Sequence, residues 1–184
     1  MSMSKVSLAV LAALSLSSVA FADDKNGLGH KVGLGQPITE ADIKPWDITI
    51  LPDGTNLPPG SGTAAVGAKL FTEKGCIACH GEGGTGGSNG AVITDIPLAG
   101  RGIEATKTIK NFWSNSTTVF DFIRRAMPWN APRTLTDNEV YALTAFILEG
   151  NKLIPPGTVM DAKSLPQVKM PNKDGFIIKF PDRI

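Results

Sequence analysis

Apolar residues at helical spacing predict three amphipathic helices in the middle of this 184-residue chain. In the first helix, over 64–74, Val66, Leu70 and Phe71 form one apolar stripe. The stretch 81–90 that follows is so rich in glycine that no stable element is expected there. The pattern therefore predicts an all-α core that an irregular loop interrupts.

The second predicted helix lies within 111–126 and is expected to be capped near Ser116 or Thr117. Its apolar face is formed by Val119, Phe120, Ile123 and Ala126. Pro128 and Pro132 exclude a continued helix after it, because proline lacks the donor that a helix interior needs.

The third predicted helix opens at Thr136 and Glu139, which have the spacing of a capping box. It is expected to run to about Glu149, with Gly150 as the first residue after its end. Val140, Leu143, Thr144 and Ile147 are in register on one face of it.

Turn-forming residues dominate both flanks of this helical region. In 23–62, rich in Gly, Pro, Asp and Thr, the apolar residues Ile43, Trp46, Ile48 and Ile50 have the spacing of a short extended segment. The segment 151–184 carries five prolines and predicts a tail without helices, laid over the core. The expected organisation is an extended arm over 23–62, a helical domain over 63–150 and a second extended arm over 151–184.

Residues 1–22 have the pattern of a secretory signal peptide. Lys5 supplies the positive charge, 6–19 is an apolar run too short to span a bilayer, and Ala20-Phe21-Ala22 is an A-x-A cleavage site. An uncleaved anchor is the alternative interpretation. We expect cleavage after Ala22, export across the cytoplasmic membrane and no membrane span in the mature chain.

The charges are balanced, with 18 Lys and Arg residues against 17 Asp and Glu residues. A nucleic acid partner would require a strong basic excess, so this class of function is excluded. Any docking to another protein must then depend on a local patch of charge.

The clearest chemical signature is Cys76-Ile77-Ala78-Cys79-His80, a C-x-x-C-H motif that holds both cysteines and one of the two histidines. Two thiols three positions apart lie on one side of a helical turn, where they can bond two vinyl groups of a haem. The motif therefore predicts one covalently attached haem c, with His80 as the proximal iron ligand. Such attachment occurs outside the bacterial cytoplasm, which fits the export signal and predicts a periplasmic protein.

Three other uses of a C-x-x-C pair are disfavoured. A redox dithiol needs a βαβ context that the pattern lacks, and a zinc site needs about two more ligands where only His30 remains. A disulfide between such close cysteines encloses too small a loop to stabilise a domain.

The sixth iron ligand should be a methionine or a histidine, as in cytochromes that only transfer electrons. Met127 is favoured because it lies in a proline-interrupted loop between two helices, which can be held against a haem face. The alternatives are Met160, Met170 and His30, although a methionine commonly only fills a gap in a core. A Met/His pair would leave no open position on the iron for reaction with oxygen.

A set of motifs together resembles a class I cytochrome c: Cys76-x-x-Cys79-His80 after a helix, Pro97-Leu98-x-Gly100, and Met127-Pro128 before a helix with Tyr141 and Phe146. The resemblance implies a class I cytochrome c fold, with about three to four helices around one haem. It also implies that the first and last helices cross, with Gly67 and Phe71 meeting Tyr141 and Ala145.

The same resemblance implies further haem contacts. The carbonyl of Pro97 would accept a hydrogen bond from the imidazole of His80. Arg101 and Trp113 match the positions that commonly contact the haem propionates.

Both arms, together with one stretch of the helical domain, resemble the cytochrome subunits of periplasmic sulfite and sulfur dehydrogenases of the Sor and Sox type. The similar stretches are Trp46-Asp47-Ile48, Pro52-Asp53-Gly54-Thr55, Leu57-Pro58-Pro59-Gly60-Ser61-Gly62, Phe122 to Pro128, and Ser164 to Phe176. This resemblance implies a partner subunit with a molybdopterin cofactor, which oxidises the sulfur compound. This chain would accept the electrons from that subunit and transfer them to a downstream cytochrome c or oxidase. The arms would dock on that subunit, with Arg124 and Arg125 either as a docking patch or as an ordinary solvated helix end.

Two other functions remain open from the sequence. The chain could be a free periplasmic electron shuttle without a dedicated enzyme, or an enzyme such as a peroxidase that reacts at an open haem. Rapid binding of carbon monoxide to the reduced haem would favour the enzyme, because a closed iron resists it.

Overall fold

The computed structural model describes residues 35–87, 92–94 and 107–177. The chain divides into two compact units, Met1–Trp46 and Asp47–Ile184. The elements are α1 (Glu40–Ile43), β1 (Ser61–Thr63), α2 (Ala64–Glu73), α3 (Ile77–His80), α4 (Ser116–Ala126), α5 (Asp137–Gly150) and β2 (Val159–Asp161), with 3-10 helices at Glu82–Gly84 and Leu165–Gln167. The predicted helical class is therefore confirmed.

In the first unit, the described residues form one short helix. Thr39 donates from its backbone N and its Oγ1 to Asp42 Oδ2, at 2.8 and 2.7 Å, which closes a capping box around α1. The extended segment predicted from Ile43 onward is thus wrong at its start, because this local capping selects a helical turn. Trp46, at the end of the unit, is 81% exposed.

In the second unit, α2 packs across α5 at Gly67. An ideal Cβ atom on Gly67 would overlap the carbonyl of Ala142 and would lie 2.7 Å from Cβ of Phe146. The ring of Phe71 lies 5.0 Å from the ring of Phe146, one helical turn further along the contact. The two helices therefore approach closely only because residue 67 has no side chain.

The predicted crossing of the first and last helices is confirmed, but the residues nearest to Gly67 are Ala142 and Phe146 and not Tyr141 or Ala145. Ala142 and Phe146 are one turn apart on α5 and share the face that meets α2. Tyr141 points elsewhere: its ring lies 4.5 Å from that of Phe120 on α4, and its hydroxyl donates to the carbonyl of Pro58 at 2.8 Å. Burial raises the pKa of Tyr141 to about 12, so its hydroxyl remains a donor across the physiological range.

The helix ends differ slightly from the predicted ones. The capping box at Thr136 is present, with Glu139 Oε2 accepting from the backbone N of Thr136 at 2.8 Å. However, α5 continues through Gly150 and is capped by Asn151, while α4 begins at Ser116 with Asn115 as its N-cap.

A two-stranded antiparallel sheet was not predicted from the sequence. β1 pairs with β2 in the register that places Gly62 opposite Met160. A Cβ atom on Gly62 would overlap the backbone of Ala142, so the sheet lies directly on α5. The sheet thus joins parts of both predicted arms to the helical core.

Residues 160–170 of the C-terminal tail are also integrated into the second unit. Met160 and Leu165 are completely buried and Met170 is 4% exposed. The hydroxyl of Ser116 donates to the carbonyl of Leu165 at 2.6 Å, in a buried position. The tail was expected to lack helices, but the 3-10 turn at Leu165–Gln167 forms because it seats Leu165 in the core.

None of the helices in the described residues has the length and hydropathy needed to cross a membrane.

Candidate functional site

One helical turn carries all three residues of the C-x-x-C-H motif that were assigned to the haem. Gly75, with φ of +75°, turns the chain out of α2, and the backbone N of Cys76 donates to the carbonyl of Phe71 at 3.0 Å. The backbone N of His80 then donates to the carbonyl of Cys76 at 2.9 Å. Cys76, Cys79 and His80 are therefore held on one short turn directly after α2, as the spacing predicts.

The side chains of this turn differ in their exposure. Neither cysteine pairs in a disulfide, so both sulfurs are available for thioether bonds; Cys76 is half-buried and Cys79 is exposed. Before a haem is attached, burial raises the pKa of the Cys76 thiol. The imidazole of His80 is half-buried, with its ring 6.2 Å from that of Phe71.

The glycine-rich loop folds back tightly onto the motif. The backbone N of Gly86 donates to the carbonyl of His80 at 2.8 Å. Gly81 has φ of +74°, and a Cβ atom on it would overlap the carbonyl of Gly86. A Cβ atom on Gly87 would likewise overlap the carbonyl of Cys79. The 3-10 helix at Glu82–Gly84 lies in this loop, where no element was expected.

Asn151 fastens the loop to the end of α5, a role that sequence reasoning missed. The backbone N of Ile93 donates to the carbonyl of Gly84 at 2.8 Å, and Asn151 Nδ2 donates to the carbonyl of Ile93 at 2.7 Å. The same amide group bonds the carbonyl of Ile147 at 2.8 Å. An asparagine at the predicted helix end was the available signal, because asparagine favours such positions.

An ion pair joins the region before the motif to the start of α5. Lys74 Nζ lies 2.7 Å from Glu139 Oε1, while the other carboxylate oxygen of Glu139 belongs to the capping box. The hydrogen bond from Lys74 is the main cause that lowers the pKa of Glu139. The pair holds the end of α2 against the capped end of α5.

Met127 occupies the position just after α4. Its backbone N donates to the carbonyl of Ile123 at 3.0 Å, its side chain is half-buried against the core, and its peptide bond to Pro128 is cis. Trp113 is half-buried, with its ring 5.5 Å from that of Phe122.

The alternative methionines lie inside the hydrophobic core. Met160 is completely buried, with its sulfur 3.7 Å from the hydroxyl of Ser164, and Met170 is 4% exposed. Both therefore act as core residues, which leaves Met127 as the methionine beside an exposed loop. The other residues assigned to the site, His30, Pro97 and Arg101, lie outside the described residues.

The two arginines before Met127 are engaged within the chain. Arg124 Nε lies 3.6 Å from Asp137 Oδ1, and Arg125 Nε donates to Asp121 Oδ1 at 2.8 Å. Of the two interpretations, the structure favours the helix end, where cations also interact well with the helix dipole.

The donor set fits a c-type haem. Two thiols and one imidazole share one turn, and half-buried apolar side chains, among them Met127 and Trp113, pack around the nearby core. In the described part of the chain, no group of three or more His, Cys, Asp or Glu side chains could hold a metal ion, which gives the zinc alternative no support. A haem held here supplies a one-electron redox group; the chain's own residues bind it, orient it and limit its access to water.

Replacing Cys79 with serine should leave at most one thioether bond and reduce the yield of haem-loaded protein. Serine cannot form the bond, and the remaining attachment at Cys76 holds the haem at one point only. Mass spectrometry of the denatured protein and the shift of its alkaline pyridine spectrum measure the bonds directly. Ala78→Ser, on the same turn, is the matched control and should load normally; full two-bond attachment in Cys79→Ser would contradict the assignment.

The chain was compared with known proteins. The family model for cytochrome c matches residues 64–151. A chain in the crystal structure of the sulfane dehydrogenase SoxCD from Paracoccus pantotrophus is 35% identical, with a TM-score of 0.70 over 83% of this chain and 74% of that one. A search of curated protein sequences gave no significant match. Family model, solved neighbour and motif agree: the chain belongs to the cytochrome c family, as a class I electron-transfer cytochrome of the Sox type with covalently attached haem c.

Proposed function

We propose that this cytochrome is the electron-transfer subunit of a sulfite or sulfane-sulfur dehydrogenase. It would accept electrons from a molybdopterin subunit and pass them to a downstream cytochrome c or oxidase. The similarity to a chain of the SoxCD sulfane dehydrogenase carries the proposal, since it covers 83% of this chain at 35% identity.

At the site, we assign the thioether bonds to Cys76 and Cys79 and the axial positions to His80 and Met127. The half-buried place of Met127 after α4, and the burial of Met160 and Met170 in the core, support the methionine assignment. With both axial positions filled, the protein would transfer electrons without chemistry at the iron.

Three residues would complete the haem environment. Pro97 would orient His80 through its carbonyl, and Arg101 and Trp113 would contact the propionates. The support for Trp113 is its half-buried ring against Phe122 on α4, the helix that ends at Met127. Contacts that hold an iron ligand in a fixed orientation change how strongly it binds iron, and they therefore change the reduction potential of the haem.

The organisation into an arm over 23–62, a cytochrome domain over 63–150 and an arm over 151–184 would serve docking to the molybdopterin subunit. Ile38 and Trp46 are 72% and 81% exposed, and Ile177 is 88% exposed. By contrast, the stretches around β1 and β2 pack on their own domain. Docking would therefore involve the stretches of the arms that carry the exposed residues, namely 35–46 and, separately, 171–177. Exposed aromatic and aliphatic residues are favoured at protein interfaces.

The proposed location is the periplasm, reached through removal of the signal peptide at 1–22. Covalent haem attachment, which requires export in bacteria, supports this location. Sequencing the N-terminus of the protein purified from its host would test it, with Asp23 as the expected first residue.

The decisive experiment is reduction of this haem by a sulfur compound in a purified complex. The full chain is isolated from its host under mild conditions, assayed for co-eluting molybdenum, and mixed anaerobically with sulfite or with a sulfane-sulfur donor. Reduction within seconds by one of the two is expected for the complex, and none for the cytochrome alone. If the cytochrome always elutes without molybdenum and neither compound reduces it in cell extract, the free shuttle is favoured instead.

A further inference from the structure

Two side-chain contacts hold the last turn of α4, just before Met127. The C-cap residue Met127 takes its backbone position from the last turn through the bond to Ile123. Arg124 and Arg125, three and two residues before Met127, reach out of that turn to separate parts of the second unit. The orientation of this turn therefore decides where Met127 lies.

Arg125 makes the more extensive contact of the two. Its Nε donates to Asp121 Oδ1 at 2.8 Å, one turn earlier on α4, and its Nη2 donates to Thr49 Oγ1 at 3.2 Å. The guanidinium can hold both acceptors at once because its donors point in fixed directions. One side chain thus links the last turn of α4 to the segment that precedes β1.

Thr49 is itself held in place. Its carbonyl accepts a hydrogen bond from Asn56 Nδ2 at 3.0 Å, and the same amide nitrogen lies 3.3 Å from Asp47 Oδ1. The next residue, Ile50, is 8% exposed and belongs to the hydrophobic core. Thr49 is exposed, but these contacts hold its backbone, so its hydroxyl is a positioned acceptor for Arg125.

From these contacts we infer that Arg125 is a positioning residue, which holds Met127 in place through its bonds to Asp121 and Thr49. The inference rests on the proposed role of Met127 as an axial ligand. The bonds are partly exposed, so they add little to overall stability, but they restrain the one turn from which Met127 projects.

The test compares Thr49→Val and Arg125→Gln with the unmodified haem-loaded protein. Three properties are measured: the sulfur-to-iron charge-transfer band of the ferric protein, the reduction potential, and the rate of carbon monoxide binding to the ferrous protein. In both variants we expect a weaker band, a lower potential and about two- to fivefold faster binding of carbon monoxide. An exposed pair can change the fraction of molecules in which Met127 is held in place by about this factor. Arg125→Lys can pair with Asp121 but lacks the planar set of guanidinium donors. Its three properties should therefore lie between those of Arg125→Gln and those of the unmodified protein.

Thr118→Val is the matched control, because it makes the same chemical change at an exposed position on α4. Equal changes in Thr118→Val and Thr49→Val would overturn the inference, and so would unchanged spectra and binding rates in Thr49→Val. Met127→Leu separates the two levels of the argument. If Met127→Leu opens the iron while the Arg125 and Thr49 variants do not, only the positioning role fails; if Met127→Leu changes nothing, the axial assignment fails as well.

Discussion

Replacing Met127 with leucine is expected to lower the reduction potential of the haem and to open the iron to carbon monoxide. Leucine keeps the volume of the side chain but lacks the sulfur that binds iron. The potential should fall by on the order of 100 mV or more, since axial ligands spread haem potentials over about 0.8 V. Covalent attachment should remain complete, because Cys76 and Cys79 are unchanged. Redox titration, together with the rate of carbon monoxide binding, measures both effects.

The buried methionines provide matched controls for this experiment. Met160→Leu and Met170→Leu make the same chemical change at positions that are 0% and 4% exposed in the core. Both should keep the potential and the slow binding of carbon monoxide, with only a small loss of stability. A fall in potential in either control, with none in Met127→Leu, would place the axial ligand in the core. Rapid binding by the unmodified protein would favour the open-haem enzyme.

The second large effect is expected at Gly67, where alanine should destabilise the fold strongly. In an exposed helix, glycine to alanine stabilises by up to ~1 kcal/mol. Here the added Cβ atom would overlap the carbonyl of Ala142 and crowd Phe146, so the two crossing helices must separate. A cost of about 3 kcal/mol is expected, which lowers the melting temperature by roughly 10 °C. Thermal unfolding of the haem-loaded protein, followed by circular dichroism, gives the value.

The neighbouring residue offers the control for Gly67. Ala68 is exposed on the same turn of α2, so Ala68→Gly should cost only the difference in helix propensity, about 1 kcal/mol. The two positions then have opposite preferences within one turn. Equal or greater stability in Gly67→Ala would show that the helices do not approach as closely as the structure places them.

Much of the fold follows from local patterns in the sequence. Apolar periodicity located α2, α4 and α5 to within one or two residues in most places, since a helix that buries one face must repeat at 3.6 residues. The capping box at Thr136 and Glu139 was predicted because its hydrogen bonds join residues three positions apart. The helical turn at Glu40–Ile43 was missed, since four spaced apolar residues, the first of them Ile43, suggested an extended segment.

The pairing of distant segments was not predictable in the same way. β1 and β2 lie almost 100 residues apart, are three residues long each, and carry no alternating pattern of their own. Their position depends on the close approach of Gly62 to Ala142. Only the surrounding packing makes such short strands stable.

For the site, the sequence by itself determined the covalent haem attachment, because Cys76, Cys79 and His80 act together within one helical turn. It favoured Met127 among several methionines. It could not tell a methionine that binds iron from one that fills the core, because the two kinds of methionine have the same side chain and similar apolar neighbours in the sequence. The tertiary structure decided that Met160 and Met170 are buried in the core and that Arg124 and Arg125 are held by partners on other turns. Burial and long-range contacts are properties of the packed chain, and no local pattern contains them.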